Sequence, residues 1–400
     1  MNRKAIALLS GSHLMADFTQ GAVAALIPFF VAERHWSYAT AASLLLALNL
    51  SSSVVQPAFG HWADRKSRAW LMPIGLVLAG GGLALVGWMP SYALVLAALA
   101  VAGTGVAAFH PAAAQALHSV AGARRATSMS FFSVGGSAGF ALGPLVATAT
   151  LLALGLRGTA LLVVPAWLMA ALLTANLWRY PVGVRSGARA RDADGSSSTS
   201  AWRPFILLCF VLLCRSVAFA ALNAFLPVYW INALQQGRAA AGAALSLLLA
   251  IGTAGTLLGG SMADRFGRKR VIALGLLISG LLLLALPAIR QPGLAMALLV
   301  PLGLSLFAPA SVMVTLGQEY LPERVGLASG VTLGLAVTVG GLAAPLLGWV
   351  VDRQGFAAAF TIAALLALGA SAVAGLLPRP KQERELPLSV VRPPMVGDVP

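Results

Sequence analysis

The sequence predicts an all-α integral membrane protein with twelve transmembrane helices, arranged as two pseudo-symmetric six-helix bundles around a central cavity. Three observations predict this. Of the 400 residues, 59% are hydrophobic and 10% charged, where a soluble domain carries about 25% charged residues. That is too little charge to cover a water-facing surface. The apolar runs are continuous, and about 20 such residues cross some 30 Å of hydrocarbon as a helix. Finally, one charged phrase occurs twice, as GHWADRKSRAW (Gly60 to Trp70) and GSMADRFGRKR (Gly260 to Arg270), 200 positions apart.

Transmembrane strands would be shorter and would alternate apolar with polar residues. Unbroken runs in lipid must satisfy their own backbone polar groups, so they are read as helices. The predicted spans are 5–30, 39–61, 69–89, 92–116, 126–152, 157–179, 204–230, 240–262, 270–289, 293–316, 326–350 and 356–377. The start, MNRKAIALLSGSHLMADF, has the basic end of a leader. Its run is long, holds Asp17 and His13, and lacks a small-x-small cleavage site, so it reads as a first span. The Arg-, Gly- and Ser-rich stretch between Tyr180 and Pro204 reads as a linker dividing the spans six and six. The expected organisation is residues 1–180 as one bundle, 181–203 as a cytoplasmic linker, 204–378 as the second bundle and 379–400 as a cytoplasmic tail.

The net charge of +15 would point to nucleic acid in a soluble protein. Here its placement accounts for it. With the N-terminus inside, 21 of the 27 Lys and Arg fall in cytoplasmic segments, five in outer loops, and Arg215 lies within a span. That asymmetry places both termini in the cytoplasm of a multi-pass protein, expected in the bacterial inner membrane. Cys209 and Cys214 are too few for a disulfide framework or metal knot and read as small core residues.

The duplication runs through the whole chain. Gly60, Asp64, Arg65 and Arg68 match Gly260, Asp264, Arg265 and Arg268, each set after the second span of its half. Pro144 corresponds to Pro345, each after a glycine-rich run. Repeated bundles around a midplane site are the mark of a secondary transporter.

These residues carry a family resemblance. The G-x-x-A-D-R-x-x-R phrase, repeated and set among twelve spans, resembles the signature loop of the major facilitator superfamily. SHLMADFTQG, QPAFGHWADR, GTGVAAFHPAAA and FFSVGGSAGFALGPL resemble its fosmidomycin-resistance branch. The resemblance implies alternating access. It also implies that Asp64 and Arg68, with Arg65 and the second copy Asp264, Arg265 and Arg268, make gating ion pairs and helix-end contacts. Gly60 and Gly260 would allow close helix contact beneath them. Copy two has Gly267 before its arginine where copy one has Ser67. G-F-A-L-G-P (Gly139 to Pro144) resembles the front of the antiporter motif, without the trailing glycines, since Ala147 and Thr148 stand there.

Only one of twelve carboxylates, Asp17, lies near mid-span, about 18 Å along its helix. A charge there is costly unless neutralised, paired or wetted, so Asp17 should face the bundle interior as a candidate for proton coupling. His13 lies one turn earlier on the same face and could share that proton; Gln20 continues the stripe. Arg215 is the lone mid-span base and stays charged, able to bind an anion or to pair with Asp17. Asn223, two turns on, would add a polar contact. His110, near the end of the fourth span, is a candidate substrate or proton contact. Gly135, Gly139, Gly143 and Pro144, with Gly334, Gly341 and Pro345 in the eleventh span, read as helix-packing positions.

No Walker loop, zinc-spaced His/Cys set or catalytic constellation stands out, so no cofactor, metal or enzymatic activity is expected. A metal held by His13, Asp17 and His110 is conceivable but not demanded by their spacing. The expectation is a monomeric, proton-coupled exporter of small organic molecules or drugs, with a fosmidomycin-like anion implied by the resemblance. The partners are then lipid, protons and that substrate, and not nucleic acid. An importer or facilitator of an organic acid or sugar-like solute uses the same fold. A non-transporting sensor is the remote alternative.

Overall fold

The computed structural model describes residues 2–65, 68–121, 125–176 and 201–378, with the side chains of residues 63–65, 125 and 126 excepted. The expected tail, the linker up to residue 200, and the side chains of Asp64 and Arg65 lie outside the described residues. The described residues form helices and short turns, with no strand. The helices are α1 (Arg3–Arg34), α2 (Tyr38–Arg65), α3 (Leu71–Leu85), α4 (Tyr92–Val120), α5 (Arg125–Leu154), α6 (Val163–Asn176), α7 (Trp202–Asn232), α8 (Arg238–Phe266), α9 (Arg268–Ala285), α10 (Pro292–Phe307), α11 (Pro309–Tyr320) and α12 (Val325–Leu376).

Ten helical stretches are long and apolar enough to cross a membrane. Two of them are double: Thr127–Asn176 has 50 residues and Pro322–Leu376 has 55, where about 20 suffice. The first is interrupted by a 3-10 segment, Gly155–Leu162, entered through Gly155 at φ 61°. The second breaks at Gly355 (φ 81°, ψ 175°), a conformation that favours glycine. Each double stretch is two crossings, which gives the twelve spans expected. The tenth span differs in detail: it is broken at Ala308 before Pro309, so α10 and α11 together make one crossing.

Local chemistry sets several ends. The Asn2 side chain accepts from the Ala5 amide at 3.2 Å and caps α1, and Ser91 does the same for α4 at Leu94. Prolines stand inside α1, α2, α4, α5, α7, α10 and α12. Neighbouring helices and hydroxyl side chains can re-satisfy the backbone there. Large apolar side chains such as Leu168, Ile206, Leu346 and Leu365 remain exposed on the periphery, where lipid rather than water is the solvent.

Helix α1 packs closely on α5. A methyl added at Gly135, Gly139 or Gly143 would collide with the α1 backbone at Ser10, Leu14 and Phe18–Ala22. Pro144 follows within the same helix. The corresponding row in α12 behaves differently. Gly341 faces Asn49 and Leu46 of α2, and Gly348 meets Tyr38 and Ala39. A methyl at Gly334 would meet open space. The expected stripe is therefore displaced toward one end of the helix, because nothing packs on the face of α12 that Gly334 presents.

The buried side chains explain that asymmetry. One cluster, including Phe29, Phe30, Leu44, Phe225, Trp230, Leu248 and Phe360, joins both bundles. At the opposite end, which carries residue 2, the cores separate. One contains Ile6, Leu71, Phe109 and Phe132 of the first half, the other Leu208, Ile272, Met313 and Ala374 of the second. The halves are thus sealed together at the far end and parted at the N-terminal end. Polar contacts reinforce the seal. The Asp352 carboxylate, from the second half, accepts from the Tyr38 and Ala39 amides at 2.8 and 3.0 Å and caps α2. Asn232 donates to the Tyr38 hydroxyl at 3.1 Å, and Arg238 lies 3.7 Å from Glu33.

Two predictions follow from this packing. Gly139→Val should destabilise the purified protein by about 1–3 kcal/mol through overpacking, read as a lower melting temperature in detergent. Gly260→Val, where a side chain meets nothing within 4 Å, should change it little. Asp352→Ala should cost the seal about 1 kcal/mol of capping energy. With Cys209 and Cys214 replaced by serine, a cysteine introduced by Leu45→Cys on the cavity wall should then react faster with an impermeant thiol reagent added on the sealed side. Unchanged labelling would show that the cap does not hold the seal.

Candidate functional site

Two charged centres lie near the middle of the molecule, one in each half. The first is built on α1. Asp17 and His13 are one turn apart, and His13 Nε2 lies 3.2 Å from Asp17 Oδ2. His110 of α4 places its Nε2 3.1 Å from Asp17 Oδ1, and Gln20 donates its amide to that same oxygen at 3.1 Å. These side chains are largely withdrawn from solvent, at 11% exposure for His13, 17% for Asp17 and 24% for His110.

Both imidazoles are anchored from behind. His13 Nδ1 donates to the Phe132 carbonyl of α5 at 2.8 Å, and His110 Nδ1 to the Val106 carbonyl at 2.9 Å. The His13 ring stacks on Phe132 with centroids 4.0 Å apart and meets His110 edge-on at 5.1 Å. Space for this arrangement comes from Gly136. A methyl there would press within 2.5–2.6 Å of Asp17 Oδ2 and the His13 ring. The three ionisable side chains offer donor atoms within 4.8 Å of one another, a spacing that could hold a cation. Protons shared between the same atoms account for the contacts without one.

The second centre is Arg215 on α7, 8% exposed. Its Nε donates to the Leu306 carbonyl at 2.8 Å, next to the α10–α11 break, and its guanidinium lies 5.7 Å from the Phe307 ring centre. Among the described residues Arg215 has no carboxylate partner. The pairing with Asp17 that the sequence left open is therefore not formed. Asp17 is held by histidines of its own half, and Arg215 by a carbonyl of its own half.

Between the centres lies a cavity of about 180 Å³. Gln20, Asn49, Arg215, Ser216 and Asn223 supply its polar groups, and Phe140, Phe219 and Phe307 supply aromatic walls. Asn223 Oδ1 is buried with no hydrogen-bond partner. An uncompensated guanidinium and an unsatisfied acceptor on a cavity wall are costly unless a ligand or water meets them. Such a pocket suits a small molecule with an anionic group.

The sequence-predicted residues distribute as follows. Gln20, Arg215 and Asn223 line the cavity. Asp17 and His13 stand behind Gln20, and His110, expected to contact substrate or proton, binds Asp17; none of these three is in the lining. Asn49, Ser216, Gly136 and the three phenylalanines were not singled out by sequence reasoning. Asn49 could have been found as a polar residue in mid-span. The phenylalanines could not, since an aromatic wall and an aromatic core look alike in sequence.

The duplicated loops are less alike than their sequences. Gly267 takes φ 89° and joins α8 directly to α9. Arg268 lies 2.6 Å from Glu319 at the end of α11, not against Asp264, which is exposed and forms no ion pair among the described residues. Arg265 lies over its neighbour Phe266, with 5.4 Å to the ring centre. Arg68 lies over Trp62 at 5.3 Å. A methyl added at Gly60 would lie 4.0 Å from Pro111 Cβ, and one at Gly260 would meet nothing within 4 Å. The close helix contact expected at Gly260 is made one position earlier: a methyl at Gly259 would collide with the Ala308 backbone, while Gly260 faces away from it.

Comparison with known proteins agrees with this architecture. The profile of the Major Facilitator Superfamily matches residues 9–331 and again 208–396, overlapping matches in keeping with an internal repeat. The chain is 31% identical over 380 residues to the uncharacterized MFS-type transporter YfnC of Bacillus subtilis (strain 168), covering 93% of this chain and 92% of that one. It is 29% identical over 371 residues to the Fosmidomycin resistance protein of Escherichia coli (strain K12), covering 90% and 89%. Its fold matches the crystal structure of a bacterial homolog of the human lysosomal transporter Spinster, in an inward-facing and occupied conformation. The TM-score is 0.81 at 15% identity, over 97% of this chain and 99% of that one. With twelve crossings, two bundles sealed at one end and a cavity between them, the chain belongs to the Major Facilitator Superfamily, a family of membrane transporters.

Proposed function

We propose that the protein is a proton-coupled exporter of small organic anions, working by alternating access from the bacterial inner membrane with both termini in the cytoplasm. The observation that carries this reading is the separation of two charged centres across one cavity. A carboxylate with two imidazoles lies behind Gln20 on one side, and an arginine without a carboxylate partner lines the other. The first centre can take up and release protons, because imidazole titrates near neutral pH. The second keeps its charge and presents fixed donors to an anion. Gln20 belongs to both, donating to Asp17 while lining the cavity. Substrate that competes for its amide is felt at the carboxylate.

The positive-inside asymmetry assigns the parted end to the cytoplasm, so this conformation receives substrate from inside. Export is further supported by similarity to a protein named for fosmidomycin resistance. A phosphonate of that kind is anionic and suits Arg215. In the reverse state the shared outer core and the Asp352 cap must open while the inner cores close. The loops at Asp64 and Asp264, with Arg65, Arg68, Arg265 and Arg268, then act as the inner gate. The Arg268–Glu319 pair ties α9 to α11, so that this part of the second bundle moves as a unit.

Separate variants distinguish the two centres. In proteoliposomes, Asp17→Asn should abolish transport driven by a proton gradient while leaving binding of an anionic substrate largely intact. Arg215→Gln should lose about 1.5–3 kcal/mol of charge-assisted hydrogen bonding, a ten- to hundredfold rise in half-saturating concentration. Undiminished proton-driven flux in Asp17→Asn removes Asp17 from coupling. Cells lacking the protein should accumulate the substrate; loss of uptake would instead indicate import. Asp264→Asn should slow turnover without changing substrate affinity, measured as a lower maximal flux at unchanged half-saturation. Normal turnover would leave the loop as a topology signal.

A further inference from the structure

We infer that the His13–Asp17–His110 cluster is a two-proton store, with His110 as its second acceptor, and that each transport cycle moves two protons. This rests on reading the cluster as the coupling centre and adds its capacity and stoichiometry.

A backbone carbonyl can only accept a hydrogen bond. His13 Nδ1 faces the Phe132 carbonyl at 2.8 Å and His110 Nδ1 faces the Val106 carbonyl at 2.9 Å, so both Nδ1 atoms carry hydrogen. In a neutral imidazole the other nitrogen, Nε2, then has only a lone pair. Both Nε2 atoms nevertheless lie against carboxylate oxygens, His13 at 3.2 Å from Oδ2 and His110 at 3.1 Å from Oδ1. Each contact needs one hydrogen between nitrogen and oxygen. It can sit on either atom, and the sum is the same. Relative to two neutral rings and an ionised Asp17, the cluster as arranged holds two extra protons and a net charge of +1.

Nothing nearby substitutes for those protons. Gln20 Nε2 donates to Oδ1, but that bond leaves both nitrogen–oxygen contacts unfilled. Of the elements packed around α1, α3 and α6 carry no ionisable residue, and α5 none beyond Arg125. Those of α2 are Tyr38 at one end and His61, Asp64 and Arg65 at the other. On α4 the other titratable groups are Tyr92 and His118, toward its two ends. On α7 the mid-span charge is Arg215, which is bonded to Leu306 and makes no ion pair with Asp17.

Loss of either proton leaves a nitrogen lone pair facing an oxygen lone pair at a contact distance. That contact must open. His13 and Asp17 share α1, so the first of these contacts can relax within one helix. The His110 contact joins α1 to α4, so emptying it loosens one helix from the other. The second proton is the one tied to movement between helices.

The test has two independent arms. The full chain, with ring-¹⁵N histidine, is titrated in detergent micelles and His13 and His110 are assigned through His13→Gln and His110→Gln. The expected result is hydrogen on Nδ1 of both rings throughout, two protons released from the cluster in the wild type, and one in His110→Gln. Release of one proton in the wild type, or two in His110→Gln, overturns the store, as does an Nε2–H tautomer of His110 lacking hydrogen on Nδ1. In the second arm, the proton gradient that just balances an opposing substrate gradient is measured in proteoliposomes. Two protons per cycle are expected in the wild type and one in His110→Gln, and an equal count in both overturns the stoichiometry. Two-proton release without any proton-driven flux would overturn the transport reading while leaving the store in place.

Discussion

Asp17 and Arg215 sit at comparable depths on α1 and α7, the first helices of their halves, and they do not meet. In a low-dielectric interior two such charges attract strongly, and a direct pair would cross the seam between the bundles. It would also leave neither group free for a proton or a substrate. Here each charge is answered inside its own bundle. Asp17 is held by His13 and His110, and Arg215 by the Leu306 carbonyl. Each bundle can therefore carry its charge as it moves, without breaking an ion pair across the cavity.

The packing has the same logic. Within the first half, Gly135, Gly139 and Gly143 set the α5 backbone against α1 and fix the floor on which the His13 ring rests. Those contacts lie inside one bundle and need not change. Between the bundles, contact is concentrated at the sealed end, mostly in side chains, with one carboxylate cap and one close backbone approach where Gly348 meets the start of α2. Such a seam can separate and re-form more readily than the row of interlocked backbones between α1 and α5. Rigid halves with a reversible seam are what alternating access requires.

Much of this was legible in the sequence, for a physical reason. Lipid tolerates little but apolar helix, so span positions and the twelvefold count could be read from run lengths, and the few buried charges stood out. Asp17, His13 and Arg215 were visible because a mid-span charge is costly without a purpose. What the sequence hid depends on distance. The Asp352 cap joins residues more than 300 positions apart. His110 stands 93 positions from Asp17 near a span end, so its grouping with His13 and Asp17 was conceivable from sequence and only the fold makes the contact. Gly136 was lost among small residues whose spacing suggested packing alone. The Gly334 reading failed because it assumed both halves of a repeat meet neighbours equally, whereas here one end of the seam is open. The Gly260 reading missed by one residue, since Gly259 is the position that faces Ala308.

The repeat itself shows how duplicated halves come to differ. Phe109-His110-Pro111 on α4 corresponds to Phe307-Ala308-Pro309 in the tenth span. In the first copy the helix runs on through Pro111, and the residue before it is an imidazole that reaches Asp17. In the second copy that residue is alanine, and the helix breaks there. The Leu306 carbonyl beside the break takes the Arg215 hydrogen bond, and Phe307 turns its ring to the guanidinium and the cavity. One proline-bearing turn thus supplies a proton acceptor in one half and a cradle for a fixed cation in the other. A difference of one side chain before the proline separates the half suited to moving protons from the half suited to holding an anion.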